Sequence, residues 1–164
     1  SDIDYNNAAN WLPLSYKYVS GSQQIPSYAL SIPKLGIENA TLTTIDTDLT
    51  KHLIQYPGTS IPSNKGTGVI FGHSTIPTLF DKKNYKTIFS TLYTLKKGDE
   101  IDTIVDGVTY KYSIFDIKVV DPQDISVLEQ QYDDSYITLI TCTPPGTYWK
   151  RLVIKGRLEK LGLS

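Results

Sequence analysis

The chain has 164 residues, 40% hydrophobic and 20% charged, with a formal net charge of −1. That length suits one domain able to bury a core without metals, and a single cysteine excludes an internal disulfide. The balance of 16 Lys+Arg against 17 Asp+Glu, with only the short basic pairs Lys82-Lys83 and Lys96-Lys97, excludes a nucleic-acid binder.

Residues 1–27 carry Asn6-Asn7, Asn10, Ser20-Gly21-Ser22, Gln23-Gln24 and two prolines without periodicity, and read as an arm or linker ahead of a domain spanning 28–164. Short strands are predicted at Tyr28 to Ile32 and Ala40 to Thr44, separated by the turn signal Pro33-Lys34-Leu35-Gly36. Asp46 or Thr47 is placed to cap a short helix through Leu53. The loop Tyr56 to Gly66 delivers the chain into an apolar strand, Gly68-Val69-Ile70-Phe71, that ends at Gly72-His73-Ser74. Ile88, Phe89, Leu92 and Leu95 share one face of a predicted short helix, closed by Lys97-Gly98-Asp99. Strands at Ile101 to Val105 and Val108 to Ile117 flank Asp106-Gly107, a hairpin turn whose central positions favour positive φ. Val119 to Tyr132 reads as a loop with one helical turn. Tyr136 to Thr141 and Arg151 to Ile154 are β-branched strands around the turn-forming Cys142-Thr143-Pro144-Pro145-Gly146-Thr147-Tyr148. About seven or eight short strands with one or two short helices imply a mainly β, closed or nearly closed barrel.

Three residues stand at strand ends, where side chains reach a rim. Cys142 is the only thiol, and its bland alternative is a small packed hydrophobe. His73 has the side chain best suited to proton transfer near neutral pH; its alternative is a polar strand terminator. His52, between Lys51 and Leu53, reads as a surface or supporting residue. If the last two strands pair as an antiparallel hairpin, Cys142 and Lys150 or Arg151 meet at the same end. A guanidinium there favours thiolate and can bind a developing oxyanion; otherwise Arg151 would pair with Asp133 or Asp134 on the surface.

The segments Gly68-Val69-Ile70-Phe71-Gly72-His73-Ser74 and Thr138-Leu139-Ile140-Thr141-Cys142, followed by Arg151-Leu152-Val153, resemble the two signature blocks of the sortases, the cysteine transpeptidases of Gram-positive-type cell surfaces. Ser31 to Ile37, Pro57-Gly58-Thr59, Ser63 to Gly66 and Leu95 to Ile101 extend the resemblance across about residues 28–160. It implies the sortase eight-stranded β-barrel. It also implies cleavage of a Leu-Pro-x-Thr-Gly-like sorting motif between Thr and Gly, through a thioacyl-enzyme, and transfer of the acyl part to an amine. In that scheme Cys142 is the nucleophile, His73 the acid and base, and Arg151 the oxyanion's partner. Thr141 would shape the site, and Ile125, Val127 and Leu128 would form the pocket for the motif's Leu-Pro, with core packing as the alternative for each.

The implied partners are surface proteins bearing the sorting motif and an amine acceptor from peptidoglycan or a pilin. No cofactor is expected. Some sortases bind calcium near this loop, and Asp121, Asp124, Glu129, Asp133 and Asp134 are carboxylates of the right type, though without the dense spacing of a calcium loop. Asn39-Ala40-Thr41 matches the glycosylation pattern, which arises often by chance. Pilin-assembling members carry an Asp-Pro-aromatic lid anchor that this arm lacks, whereas Cys142-Thr143-Pro144 resembles those members; Trp11-Leu12-Pro13 could still cover the cleft. The subclass stays open, with attachment slightly favoured over pilus assembly. Two other classes compete: a peptidoglycan L,D-transpeptidase or other cysteine hydrolase, disfavoured because Thr141 rather than Gly precedes the cysteine, and a non-catalytic barrel module with an inert thiol. No stretch reaches the roughly 18 apolar residues of a membrane span, and the N-terminus lacks a signal-peptide layout. The absence of methionine marks a processed or engineered fragment, read as soluble by itself, whose anchor would lie upstream and hold it at the outer face of a bacterial plasma membrane.

Overall fold

The computed structural model of the protein describes residues 3–13 and 27–160. Eight strands form it: β1 (Tyr28–Ile32), β2 (Ile37–Thr43), β3 (Leu53–Gln55), β4 (Gly66–Phe71), β5 (Glu100–Val105), β6 (Val108–Val120), β7 (Ser135–Thr143) and β8 (Lys150–Leu158). They close into a barrel in the order β1-β2-β3-β4-β7-β8-β6-β5, with β5 pairing back onto β1. Pairings β2 with β3 and β4 with β7 are parallel; the rest are antiparallel. Among the described residues each strand thus has a neighbouring strand on both sides, although the three-residue β3 leaves the first part of β4 without a strand partner on that edge.

Alternation along the strands builds two apolar surfaces. One fills the barrel, with Leu30, Ile32, Ile37, Leu42, Leu53, Ile70, Ile101, Tyr112, Leu139 and Ile154 among its members, and Ile88, Phe89 and Leu92 close it. The other lies on the outer face: Ile54, Val69, Phe71, Ile140, Cys142 and Val153, covered by Ala8, Trp11 and Leu12 of the arm and Val127 of the loop before β7.

The helices expected from periodicity are single 3-10 turns. Residues 88–95 form consecutive turns with one 3-10 segment at Leu92–Thr94, although the apolar face is buried as expected. The helix expected through Leu53 is absent: Asp46 and Asp48 accept hydrogen bonds from amides two residues on, which gives Asx turns instead. Leu53 then opens β3, which is too short for its alternation to show. At Asp106-Gly107 both residues take positive φ, 49° and 77°, as the hairpin turn requires. Part of the expected arm, residues 14–26, lies outside the described residues. Among the described residues no helix is long and apolar enough to cross a membrane.

Candidate active site

Strand pairing alone brings the three predicted residues together. In the parallel pair β4 and β7, Phe71 lies beside Ile140, so two residues on His73 comes alongside Cys142. In the antiparallel pair β7 and β8, Cys142 is the direct partner of Arg151. Cys142 therefore sits on the middle of three adjacent strand ends, with His73 at the end of one neighbouring strand and Arg151 on the other. The rim is tied together by Gly72 N–H donating to Ile140 C=O (3.1 Å) and Ser74 Oγ donating to Cys142 C=O (3.0 Å). Gly72 has no alternative, because a Cβ there would stand 2.1 Å from the Phe89 ring.

All three side chains are covered: Cys142 is 2% exposed, Arg151 5% and His73 7%. The arm does the covering. Asn6 Oδ1 lies 2.9 Å from His73 Nε2, and Ser74 N–H donates to His73 Nδ1 (3.1 Å). These partners assign the neutral tautomer with the proton on Nε2, and they occupy both ring nitrogens. Trp11 and Tyr5 place their rings 5.4 and 5.8 Å from the Arg151 guanidinium, and Trp11 also meets His73 edge-on at 6.5 Å. Tyr5 stacks on Tyr148 of the β7-β8 loop at 4.1 Å. The arm is held by Leu49 N–H donating to Asn6 C=O (2.8 Å) and Ala8 N–H to Thr47 C=O (2.9 Å).

This burial reverses one expectation. The guanidinium does attract thiolate, but desolvation outweighs it, and the Cys142 pKa is pushed up to about 11. His73 is shifted down, chiefly by burial, with Asp4 opposing and Lys86 adding to the fall. The covered site therefore holds a neutral thiol beside a neutral imidazole. Arg151 donates from Nη1 to Tyr148 C=O (3.0 Å) and Lys150 C=O (3.2 Å), and its Nε is buried without a partner. Asp134 bonds Arg157 instead (2.8 Å), and Asp133 accepts from the Tyr136 hydroxyl, so the surface pairing considered for Arg151 is not formed. A buried cation with an unpaired donor is arranged to receive an anion.

A family model described as the sortase domain matches residues 30–159. The chain belongs to the sortase family. It is 29% identical over 132 residues to sortase D of Bacillus subtilis, covering 78% of this chain and 61% of that protein. It is 30% identical over 148 residues to sortase A of Bacillus anthracis, covering 88% and 62%. The chain thus spans about three fifths of these curated relatives. Among solved structures, the pilus-related sortase C of Group B Streptococcus superposes with a TM-score of 0.69 at 32% identity, covering 86% of this chain and 70% of that one. A lid mutant of sortase A from Corynebacterium diphtheriae gives 0.71 at 29%, covering 87% and 74%.

The other residues singled out in this sortase sequence divide. Val127 is buried in the outer-face cluster with Cys142, and Leu128 packs against it, whereas Ile125 is 48% exposed and joins neither. Thr141 faces away from Cys142 by alternation, and its hydroxyl donates to Gly72 C=O (2.8 Å), so it braces the rim from behind. His52, half-buried, lies 3.1 Å from Asp46 in the segment before β3. The five carboxylates do not converge. Asp121 pairs with Lys150, Asp124 caps the 3-10 turn Ile125–Leu128, Asp133 and Asp134 are engaged as described, and Glu129 is exposed. Among the described residues no group of three ligands is placed to hold a metal. Sequence reasoning missed Asn6, Tyr5 and Tyr148. Trp11, a large aromatic in a polar arm, was the available signal.

Proposed function

We propose that the protein is a cysteine transpeptidase that cuts a Leu-Pro-x-Thr-Gly-like sorting motif between Thr and Gly and transfers the acyl part to an amine. The observation that carries this is the row His73, Cys142, Arg151 on three adjacent strand ends. Once the arm is displaced, the Cys142 thiol attacks the Thr carbonyl carbon and its proton passes to His73. The oxyanion meets the buried Arg151 guanidinium, aided by a nearby backbone amide. His73 then hands the proton to the departing Gly amine as the C–N bond breaks, leaving a thioester. An incoming amine, from a peptidoglycan cross-bridge or a pilin lysine, attacks that thioester as His73 takes its proton, and the thiol is restored. Val127 and Leu128 form part of the pocket for the motif's apolar residues. On this reading the enzyme works at the outer face of the bacterial plasma membrane. Residues 3–13 then act as a lid that holds the site silent.

Mass spectrometry after incubation with a Leu-Pro-x-Thr-Gly peptide, with and without triglycine, tests the reading. The expected product carries the peptide up to Thr joined to the amine, and it is lost in Cys142→Ala. Arg151→Lys is expected to lose at least about a hundredfold in kcat/KM, because an ammonium lacks the planar fork. Product formation by Cys142→Ala, or a near-normal rate for Arg151→Lys, would overturn the assigned roles.

A further inference from the structure

The loop between β6 and β7, residues 121–134, carries Val127 to the nucleophile's surface, yet little packing supports its second half. Beneath it lies a cavity of about 250 Å³ lined by Thr67, Phe115, Tyr136, Thr138 and Lys155, with Glu129 to Gln131 as its roof. The Thr138 hydroxyl in that hollow is buried without a hydrogen-bond partner. The loop spans β7 as an arch, so something must set its height.

The tie is one side chain. β3 pairs with β4 only at Ile70 and Phe71, so Thr67 has no strand partner on that edge. The Gln130 carboxamide takes the place of one: Thr67 N–H donates to Gln130 Oε1 (2.9 Å), and Gln130 Nε2 donates to Thr67 C=O (2.8 Å), which also accepts from Ser60 N–H (3.3 Å). A primary amide has a peptide's donor and acceptor side by side, so it completes the ladder as a strand residue would. Thr67 is itself buried, on the strand that runs to His73. The other polar ties described for the loop are at its ends: Asp121 with Lys150, Asp133 with Tyr136, and Asp134 with Arg157 and, through its C=O, with Gly66 N–H (2.9 Å).

We propose that Gln130 is a positioning residue: by pairing with the β4 backbone it fixes the arch so that Val127 and Leu128 hold the wall of the substrate groove beside Cys142. The consequence for substrate rests on the acyl-transfer reading; the anchoring of the loop does not. Two measurements separate them. In Gln130→Ala, hydrogen exchange followed by mass spectrometry should show faster exchange confined to residues 121–134, with the barrel strands unchanged. In the full chain KM for the sorting peptide should rise roughly tenfold while kcat changes less than about twofold, the pattern of lost binding rather than lost chemistry.

Gln130→Glu supplies the control. Its protonated acid keeps one donor and one acceptor, whereas its carboxylate sets negative charge against Thr67 C=O. Loop protection relative to wild type should be lost at pH 7 and regained below about pH 4, near the ordinary Glu pKa. Unchanged loop exchange in Gln130→Ala would overturn the proposal. So would a loosened loop with KM unmoved, or a loss spread over the whole barrel. If wild type turns over no sorting peptide, the acyl-transfer reading fails, and the exchange data alone still decide whether Gln130 anchors the arch.

Discussion

His73 shows how a side chain's partners set its charge. Ser74 N–H on Nδ1 and the Asn6 side-chain Oδ1 on Nε2 suit only the neutral ring, and burial pushes the same way. The unfolded chain gains a proton near pH 6.5 that the folded one resists, so the folded state binds fewer protons in that window. Stability should therefore fall as pH drops below 6.5, until the lowered folded pKa is reached. Urea midpoints measured from pH 7.5 to 5 should show this slope, and His73→Gln should flatten it; an unchanged slope would place the proton uptake elsewhere. Cys142 is shifted in the opposite sense: between its ordinary 9.0 and about 11 the folded state keeps a proton that the unfolded state releases, and stability should decline as pH rises through that range.

At the scale of elements, the strand ends do the aligning, and Gly72 lets them. Phe89 packs where a Cβ would stand, and its amide donates to His73 C=O (2.9 Å), so the 85–95 segment braces the rim directly. Gly72→Ala is expected to cost about 1–3 kcal/mol through overpacking, read as a lower urea midpoint, with His73 displaced and turnover lost. The apolar, β-branched strands β4, β7 and β8 were legible in the sequence, as was the juxtaposition of His73, Cys142 and Arg151 that follows from their pairing, because apolar runs and a Gly-Pro-rich turn leave strong local marks. β3 was not, since three residues show no period, and residues 88–95 bury a helical-looking face without closing into a helix. Thr141 could not be told from a groove residue until the register put it on the far face. Asn6 and Gln130 were invisible for a further reason: each acts through a carboxamide on a partner more than 60 residues away in the chain, and a lone Asn or Gln in a polar stretch carries no periodicity.

For the whole molecule, the outer apolar face is completed only when Ala8, Trp11 and Leu12 lie on it. Residues 3–13 and the barrel are one packed unit, and displacing the arm would expose Phe71, Ile140 and the thiol together. Iodoacetamide labelling of Cys142 should follow an apparent pKa near 11 in the full chain. It should become at least roughly tenfold faster at pH 8 when Trp11→Ala removes the ring over Arg151, and faster still without residues 1–13, since losing about 1.4 kcal/mol of lid contact shifts the open fraction tenfold. Equal rates in all three proteins would mean that the arm does not guard the thiol. On the proposed acyl-transfer reading, a strap laid across Cys142 must also escape being its victim. Here the carbonyls of Asp4, Tyr5, Asn6 and Asn7 all accept hydrogen bonds, from Asn7 and Asn10, Trp11, Leu49 and Asn10 respectively, and the chain then curls into the 3-10 turn Ala8–Trp11. The strap's peptide groups are therefore claimed, by the strap itself and by Leu49, where an extended, unclaimed peptide bond would be needed for attack; on the proposed reading the closed chain keeps its own cover intact.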